Sequence, residues 1–454
     1  MPQPATEARL DSPVMRWRRE DSARFRFLGR GLDPATGEVR LEYELDGVGL
    51  VECFTLPGAP LDWPDRRLAA IENALDLLHW TAGVSYWKAG CPKVVEFAGH
   101  APDRWQAAWL TRLWREGLAE FAWCNRLDAE AWPRFEGPEQ SVEPSLDLAL
   151  RRRSLVPMGG GKDSLVALER LRAAGENVTT VQVGSARLIA DVATAAGQTH
   201  RLVHRRVDPL LGDFNRRGAF NGHVPITAIN SAVLVILALV GDYKRVVFAN
   251  ERSADEQTLF DDRGRAVNHQ FSKSFVFERM FMKWVRRYIA ADLEVFSILR
   301  RDRELAICRE FAGLDRYHDV FSSCNRNFHL DGRQAQRWCG RCPKCHFVFL
   351  ALAPFLSPPR LSDIFGRDLL SDPAQIQGFG HLLALEGSKP FECVGEAVEA
   401  RAAIVALGAQ DSWRDHAVVR ALLPRLKGMD VPSIDELCRP CGNHLIPDDL
   451  LAHA

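Results

Sequence analysis

The chain has 454 residues, 46% of them hydrophobic and 26% charged, which is enough for two or three domains with sizeable cores and excludes a disordered composition. Its 58 basic and 59 acidic side chains give a net charge of -1, so no broad electrostatic footprint for nucleic acid is present. Residues 1–21 lack the apolar core of a secretion signal, and the longest apolar run, 232–240, is too short to span a bilayer. A cytoplasmic protein with no membrane and no nucleic-acid partner is therefore expected, and its 11 cysteines point to metal binding or catalysis rather than to a disulfide framework.

In chain order, residues 1–21 read as a loose tail, and 39–43 and 50–54 as strands joined by the turn at Asp46-Gly47. Helical spacing follows over 66–78 and 105–121. These elements make residues 22–148 an N-terminal α+β domain. The pattern then changes: strands at 154–158, 178–183, 202–207 and 245–249 alternate with helices at 165–171, 186–196 and 226–240. Such alternation predicts an α/β fold with a doubly wound parallel sheet across 149–350. A helical C-terminal region is expected over 351–454, behind a Pro-rich boundary.

The strongest motif is Gly159-Gly160-Gly161-Lys162-Asp163-Ser164, between a predicted strand and a predicted helix. Glycines let a backbone approach phosphate closely, and the amides of the loop and helix N-terminus supply donors. Lys162 adds a cation, Ser164 a hydroxyl, and Asp163 a carboxylate able to hold Mg²⁺ or orient the loop. The spacing is neither a Walker A loop nor G-x-G-x-x-G. Asn250-Glu251-Arg252-Ser253 follows a predicted strand, where ligands of parallel sheets sit; Glu251 suits Mg²⁺ and Arg252 a phosphate or carboxylate. Cys324, Cys339, Cys342 and Cys345, spaced C-x14-C-x2-C-x2-C, fit a closed tetrahedral Zn²⁺ site of structural type. Cys438-Arg439-Pro440-Cys441 has no second pair and reads as ordinary cysteines.

The loop resembles that of the ATP-pyrophosphatase superfamily, S-G-G-x-D-S, through Gly160, Gly161, Asp163 and Ser164; Gly159 replaces the first serine and removes one hydroxyl. The resemblance implies cleavage of ATP to AMP and pyrophosphate. Further segments narrow it: His79-Trp80-Thr81-Ala82-Gly83-Val84-Ser85-Tyr86-Trp87-Lys88, Gly117-Leu118-Ala119-Glu120-Phe121, Asn221-Gly222-His223-Val224-Pro225 and Lys389-Pro390-Phe391-Glu392-Cys393-Val394-Gly395. In this order they look like the MurL-type UDP-N-acetyl-α-D-muramoyl-L-alanyl-L-glutamate epimerases, over roughly 24–450. That likeness implies inversion of the terminal L-glutamate of UDP-MurNAc-L-Ala-L-Glu, a peptidoglycan precursor, with ATP and Mg²⁺. For proton transfer, Cys393, His79 and Lys88 are the candidates it leaves open, with His223 and Lys389 as substrate contacts and the N-terminal domain gripping the UDP-sugar. The competing reading is another ATP-pyrophosphatase chemistry, either a ligase or a tRNA- or nucleoside-modifying enzyme of the queuosine-pathway type.

Overall fold

The computed structural model describes residues 13–128, 132–140, 143–257, 259–261, 263–328, 337–386, 392 and 394–454. Lys389 and Cys393, two of the expected site residues, lie outside the described residues. The strands, in chain order, are β1 Arg24–Asp33, β2 Glu38–Leu45, β3 Val48–Thr55, β4 Val94–Phe97, β5 Ser154–Pro157, β6 Val178–Val183, β7 His200–Arg206, β8 Arg245–Phe248, the short β9 Leu259–Phe260 and β10 Ala266–Val267, and β11 Glu294–Ser297. The chain divides into two compact units, each discontinuous in sequence.

The first unit comprises Met1–Arg151, Leu202–Tyr243 and Met280–Leu293. β1, β2 and β3 form an antiparallel meander, and β4 pairs parallel with β1. Asp46 (φ +51°) and Gly47 (φ +83°) make the tight turn between β2 and β3; its left-handed backbone suits Gly and Asp. Period-two alternation sends Val39, Leu41, Tyr43 and Leu45 inward from β2. The inner layer is the apolar helix Leu68–Ala82, which packs on the equally apolar helix Ile226–Gly241. Around it the Trp284 ring lies 4.8 Å from Trp109 and 6.0 Å from Trp80, edge to face. The helix expected over 105–121 is two, Arg104–Gly117 and Ala119–Asn125, broken where Leu118 leaves helical geometry (φ -108°, ψ 16°).

β7 follows β6 in the sheet order, as the strand alternation leads one to expect, and from His204 to Arg206 it also pairs antiparallel with β3, a neighbour the sequence did not announce. Only Val203 of its seven residues is buried. A half-exposed strand studded with His and Arg suits its antiparallel contact with β3.

The second unit comprises Arg152–Arg201, Lys244–Arg279 and Glu294–Ala454. Its sheet is parallel, in the order β6-β5-β8-β11. All four residues of β8 are buried, as are three of four in β11, the burial expected of strands covered on both faces. The α/β character therefore holds, with mixed pairing across the molecule's strands. Helices Lys162–Ala173 and Arg187–Ala196 follow β5 and β6. Beyond β11 the unit is helical: Glu304–Ala312, Pro343–Leu352, Pro358–Phe365, Ile376–Leu382, Ala397–Gly408 and Ala417–Leu422. Their shared core includes Leu168, Phe296, Phe311, Phe349 and Trp413. At the amino ends of the strands, Arg245 is held by Glu176, Glu294 and Asp449. Among the described residues no helix is long and apolar enough to cross a membrane.

Candidate active site

β5 ends at Pro157, and the chain turns through Gly159, Gly160 and Gly161 into the helix that begins at Lys162. Gly160 has φ +79°, which disfavours any side chain. A Cβ on Gly161 would lie 2.6 Å from Ser323 Oγ and would require that side chain to move, so the second glycine is set by its backbone and the third is favoured by this close approach. Gly159 differs: a Cβ there would meet nothing within 4 Å, so the loop has room for the superfamily's serine that this chain lacks. Ser164 Oγ donates to Gly161 O (3.1 Å) and accepts from Gly159 N (3.4 Å), bracing the turn. No side chain caps the helix, which leaves its first-turn amides directed past the loop.

Lys162 is not presented as a free cation. It is buried and its Nζ pairs with Asp163 and Glu304. Burial opposes its charge, but those two carboxylates outweigh burial and raise its pKa. Burial also raises Glu304, against the pull of Lys162, and the charges of Asp163 and Glu251 push the same way. Two carboxylates thus share one lysine at the strand ends, with the charge of Glu251 acting on Glu304. Glu251 is buried; its Oε1 accepts from Ser253 Oγ (2.7 Å), and its carbonyl accepts from Arg300 Nη1 (2.9 Å). Ser297 Oγ donates to Asn250 O (2.6 Å), tying the end of β11 to the segment after β8.

Beside this segment lies a cavity of about 470 Å³, lined by Arg252, Asp255, Phe275, Arg300, Glu396 and Cys441, among others. Arg300 is fixed by Glu278 and by the carbonyls of Glu251 and Lys273. Glu396 caps the helix Ala397–Gly408 and accepts from Arg303 Nε (3.1 Å). Glu399, in the first turn, accepts from the amides of Leu305 (2.8 Å) and Glu396 (2.9 Å), and burial pushes its pKa up to about 7. Arg300, Glu304, Glu399 and Cys441 were not foreseen as site residues. The available signal was the charged run after the apolar 295–299 stretch, which marks the carboxyl end of an unrecognised strand.

The cysteine cluster forms as expected from its spacing. The sulfurs of Cys324, Cys339, Cys342 and Cys345 all lie within 4.8 Å of one another. Individual Sγ–Sγ separations are 3.4 Å (Cys342–Cys345), 3.7 Å (Cys339–Cys345) and 3.9 Å (Cys324–Cys342). Four thiolates at about 2.3 Å from a tetrahedral Zn²⁺ stand about 3.8 Å apart, so the donor set fits that ion. Cys342 N-caps the helix Pro343–Leu352, and its Sγ accepts from Cys345 N (3.4 Å). The cluster also reaches the glycine loop: Ser322, whose Oγ holds the Cys324 amide (3.1 Å), donates its own N–H to Gly160 O (3.0 Å).

The remaining expected residues sit in the first unit. His79 is buried in its core, with its Nε2 3.0 Å from Glu42 O and its ring against Phe27 and Tyr43. Burial lowers its pKa to about 4, so it is neutral near pH 7. Lys88 and His223 come together instead. Lys88 Nζ donates to Asn221 Oδ1 (2.9 Å) and Gly222 O (3.2 Å), and His223 Nδ1 lies 3.6 Å from Glu120. Burial lowers Lys88 to about 8. Three of the four family-like segments therefore converge in one cluster.

A parallel sheet that gathers a glycine loop, buried carboxylates and a polar cavity at the carboxyl ends of its strands is built as an α/β enzyme. The chain belongs to the MurL epimerase family. Residues 17–298 match the family description "MurL N-terminal domain" and 320–435 match "MurL C-terminal domain". It is 44% identical over 432 residues to the UDP-N-acetyl-alpha-D-muramoyl-L-alanyl-L-glutamate epimerase of Xanthomonas oryzae pv. oryzae, covering 94% of this chain and 95% of that one. Proteins of the same name from a Micromonospora species (40% identity; 96% and 98% coverage) and Salinispora tropica (42%; 90% and 90%) are similarly related.

Proposed function

We propose that this chain inverts the terminal L-glutamate of UDP-N-acetyl-α-D-muramoyl-L-alanyl-L-glutamate to D-glutamate while ATP is cleaved to AMP and pyrophosphate. The observation that carries the reading is end-to-end kinship, at 40 to 44% identity, with three proteins that bear this one name. The glycine loop supports the use of ATP. Its amides and the uncapped helix N-terminus suit phosphate, and Ser164 holds the turn. Asp163 and Glu251 are the carboxylates that would hold Mg²⁺, which supplies charge neutralisation on the phosphates. Cys324, Cys339, Cys342 and Cys345 would hold a structural Zn²⁺, with no position open for catalysis.

The chemistry explains why ATP is needed. An α proton beside a carboxylate is barely acidic, because the resulting carbanion adjoins a negative charge. Joining that carboxylate to the α phosphorus of ATP, with loss of pyrophosphate, gives a mixed anhydride that removes the charge and lets the carbonyl accept the electron pair. Water then releases AMP and makes the cycle irreversible. The test is incubation with ATP, Mg²⁺ and UDP-MurNAc-L-Ala-L-Glu in D₂O. AMP together with α-deuterated D-glutamate is expected; AMP without inversion would move the substrate to another ATP-pyrophosphatase chemistry.

A further inference from the structure

We infer that Cys441 is the thiol that exchanges the α proton of the activated glutamyl group, with Arg252 beside it binding that group's free side-chain carboxylate. This deepens the proposed function and rests on it. The two residues stand 189 positions apart in sequence, yet Arg252 Nη1 donates to Cys441 Sγ. Both are anchored at the ends of neighbouring parallel strands. Arg252 opens the turn Arg252–Asp255 after β8, and its amide donates to Asp302 O (2.9 Å). The Cys441 amide donates to Arg301 O (2.9 Å), just past β11.

The two arginines of the cavity are used differently. Arg300 is occupied by Glu278 and two carbonyls, which makes it part of the wall. Among the described residues no carboxylate pairs with Arg252. A guanidinium has five donors in a planar fork, so one contact to sulfur leaves donors for a bidentate carboxylate. A glutamyl group activated at its α-carboxyl retains one carboxylate, at the γ position. A cavity of about 470 Å³ falls within the usual range of ligand sites, roughly 300–1,000 Å³. A cysteine sulfur is a competent proton acceptor, and Cys441 lines the cavity together with Arg252. Cys438, three residues away, is a contrast: it does not line the cavity, is buried, and burial pushes its pKa up to about 11.

The step balances. The thiolate takes the α proton and becomes a thiol, and the C–H electron pair passes into the activated carboxyl as an enolate. A Brønsted acid on the opposite face then protonates the α carbon as the carbonyl reforms. The thiol afterwards loses its proton to solvent, and the acid regains one.

The test uses the full-length protein with ATP, Mg²⁺ and UDP-MurNAc-L-Ala-L-Glu in D₂O, and reads α-deuterium per AMP released. In C441A this ratio is expected to fall about 100-fold or more. R252K is expected to raise the substrate KM about tenfold, with a smaller change in kcat. A wild-type ratio in C441A overturns the assignment alone. A wild-type protein that releases no AMP with this substrate overturns the function as well. Should C441A and C441S fail to fold, iodoacetamide labelling of the wild-type protein decides: Cys441 is expected to react about tenfold faster than Cys438 and to be protected by substrate. Labelling of Cys441 unaffected by substrate overturns the assignment.

Discussion

In the antiparallel unit the buried ionisable side chains are settled one by one. Glu52 accepts from Arg205 Nε (2.6 Å) within the sheet, and His79 stays neutral against a backbone carbonyl. In the parallel unit they crowd together at the strand ends, where Asp163 and Glu304 pair with a single lysine and the charge of Glu251 acts on both Glu304 and Glu399. Burial costs are alike in kind in both places. The first arrangement is complete by itself, whereas the second keeps an excess of negative charge beside a loop suited to phosphate. Complete pairs belong to stability; an unbalanced group beside open amides belongs to ligand binding.

That contrast can be tested at several strengths. The largest effect is expected from Asp163→Ala: pyrophosphate release should fall at least about 100-fold. Because Lys162 and Glu304 remain paired, the denaturation midpoint should move little. A variant with normal release would remove the phosphate loop from the reaction. Lys162→Met should cost about 3–5 kcal/mol in chemical denaturation, since it strands Glu304 without its cation. Adding Glu304→Gln should recover much of that loss, and if it does not, the pair is not the source. Cys345→Ser should lower both the melting temperature and the zinc content found by elemental analysis. Equal content in variant and wild type would separate the thiols from the metal.

Smaller and opposite effects are expected from pH. Glu399 has a folded pKa raised to about 7, above the unfolded carboxylate value, so its contribution is intact below about pH 4.5 and is lost as pH rises through 7. His79 has a folded pKa lowered to about 4, so its contribution is intact above about pH 6.5 and is lost as pH falls toward 4. Each is worth up to about 3 kcal/mol. Denaturation of Glu399→Gln should therefore flatten the alkaline side of the stability profile, and His79→Gln the acid side. Reversed sides would refute both placements.

The sequence exposed those parts of the molecule whose chemistry constrains residue type locally. The glycine loop is legible because a strand, a positive φ and a helix start admit few other residues. The four cysteines are legible because ligand spacing is. The antiparallel neighbour of β7 was not foreseen because a strand's partner depends on which faces are covered, and five of its seven residues are His or Arg whichever partner it takes. β11 was missed because four residues carry no periodicity. His79 has the same one-letter signature in an aromatic core as at a proton-transfer site, so only its neighbours distinguish the two. The meeting of Arg252 and Cys441 could not be read from spacing, because tertiary folding alone brings them together.

The discontinuity of the antiparallel unit has a consequence during synthesis on the ribosome. Its meander and the helix Leu68–Ala82 emerge first, but the helix Ile226–Gly241 that covers them and the Trp284 that completes the aromatic cluster are translated much later. Until about residue 293 has left the exit tunnel, the nascent chain must carry an uncovered apolar helix face, a state prone to aggregation. The slowest and most chaperone-dependent stage of biogenesis is thus expected in the amino-terminal half, even though it is made first.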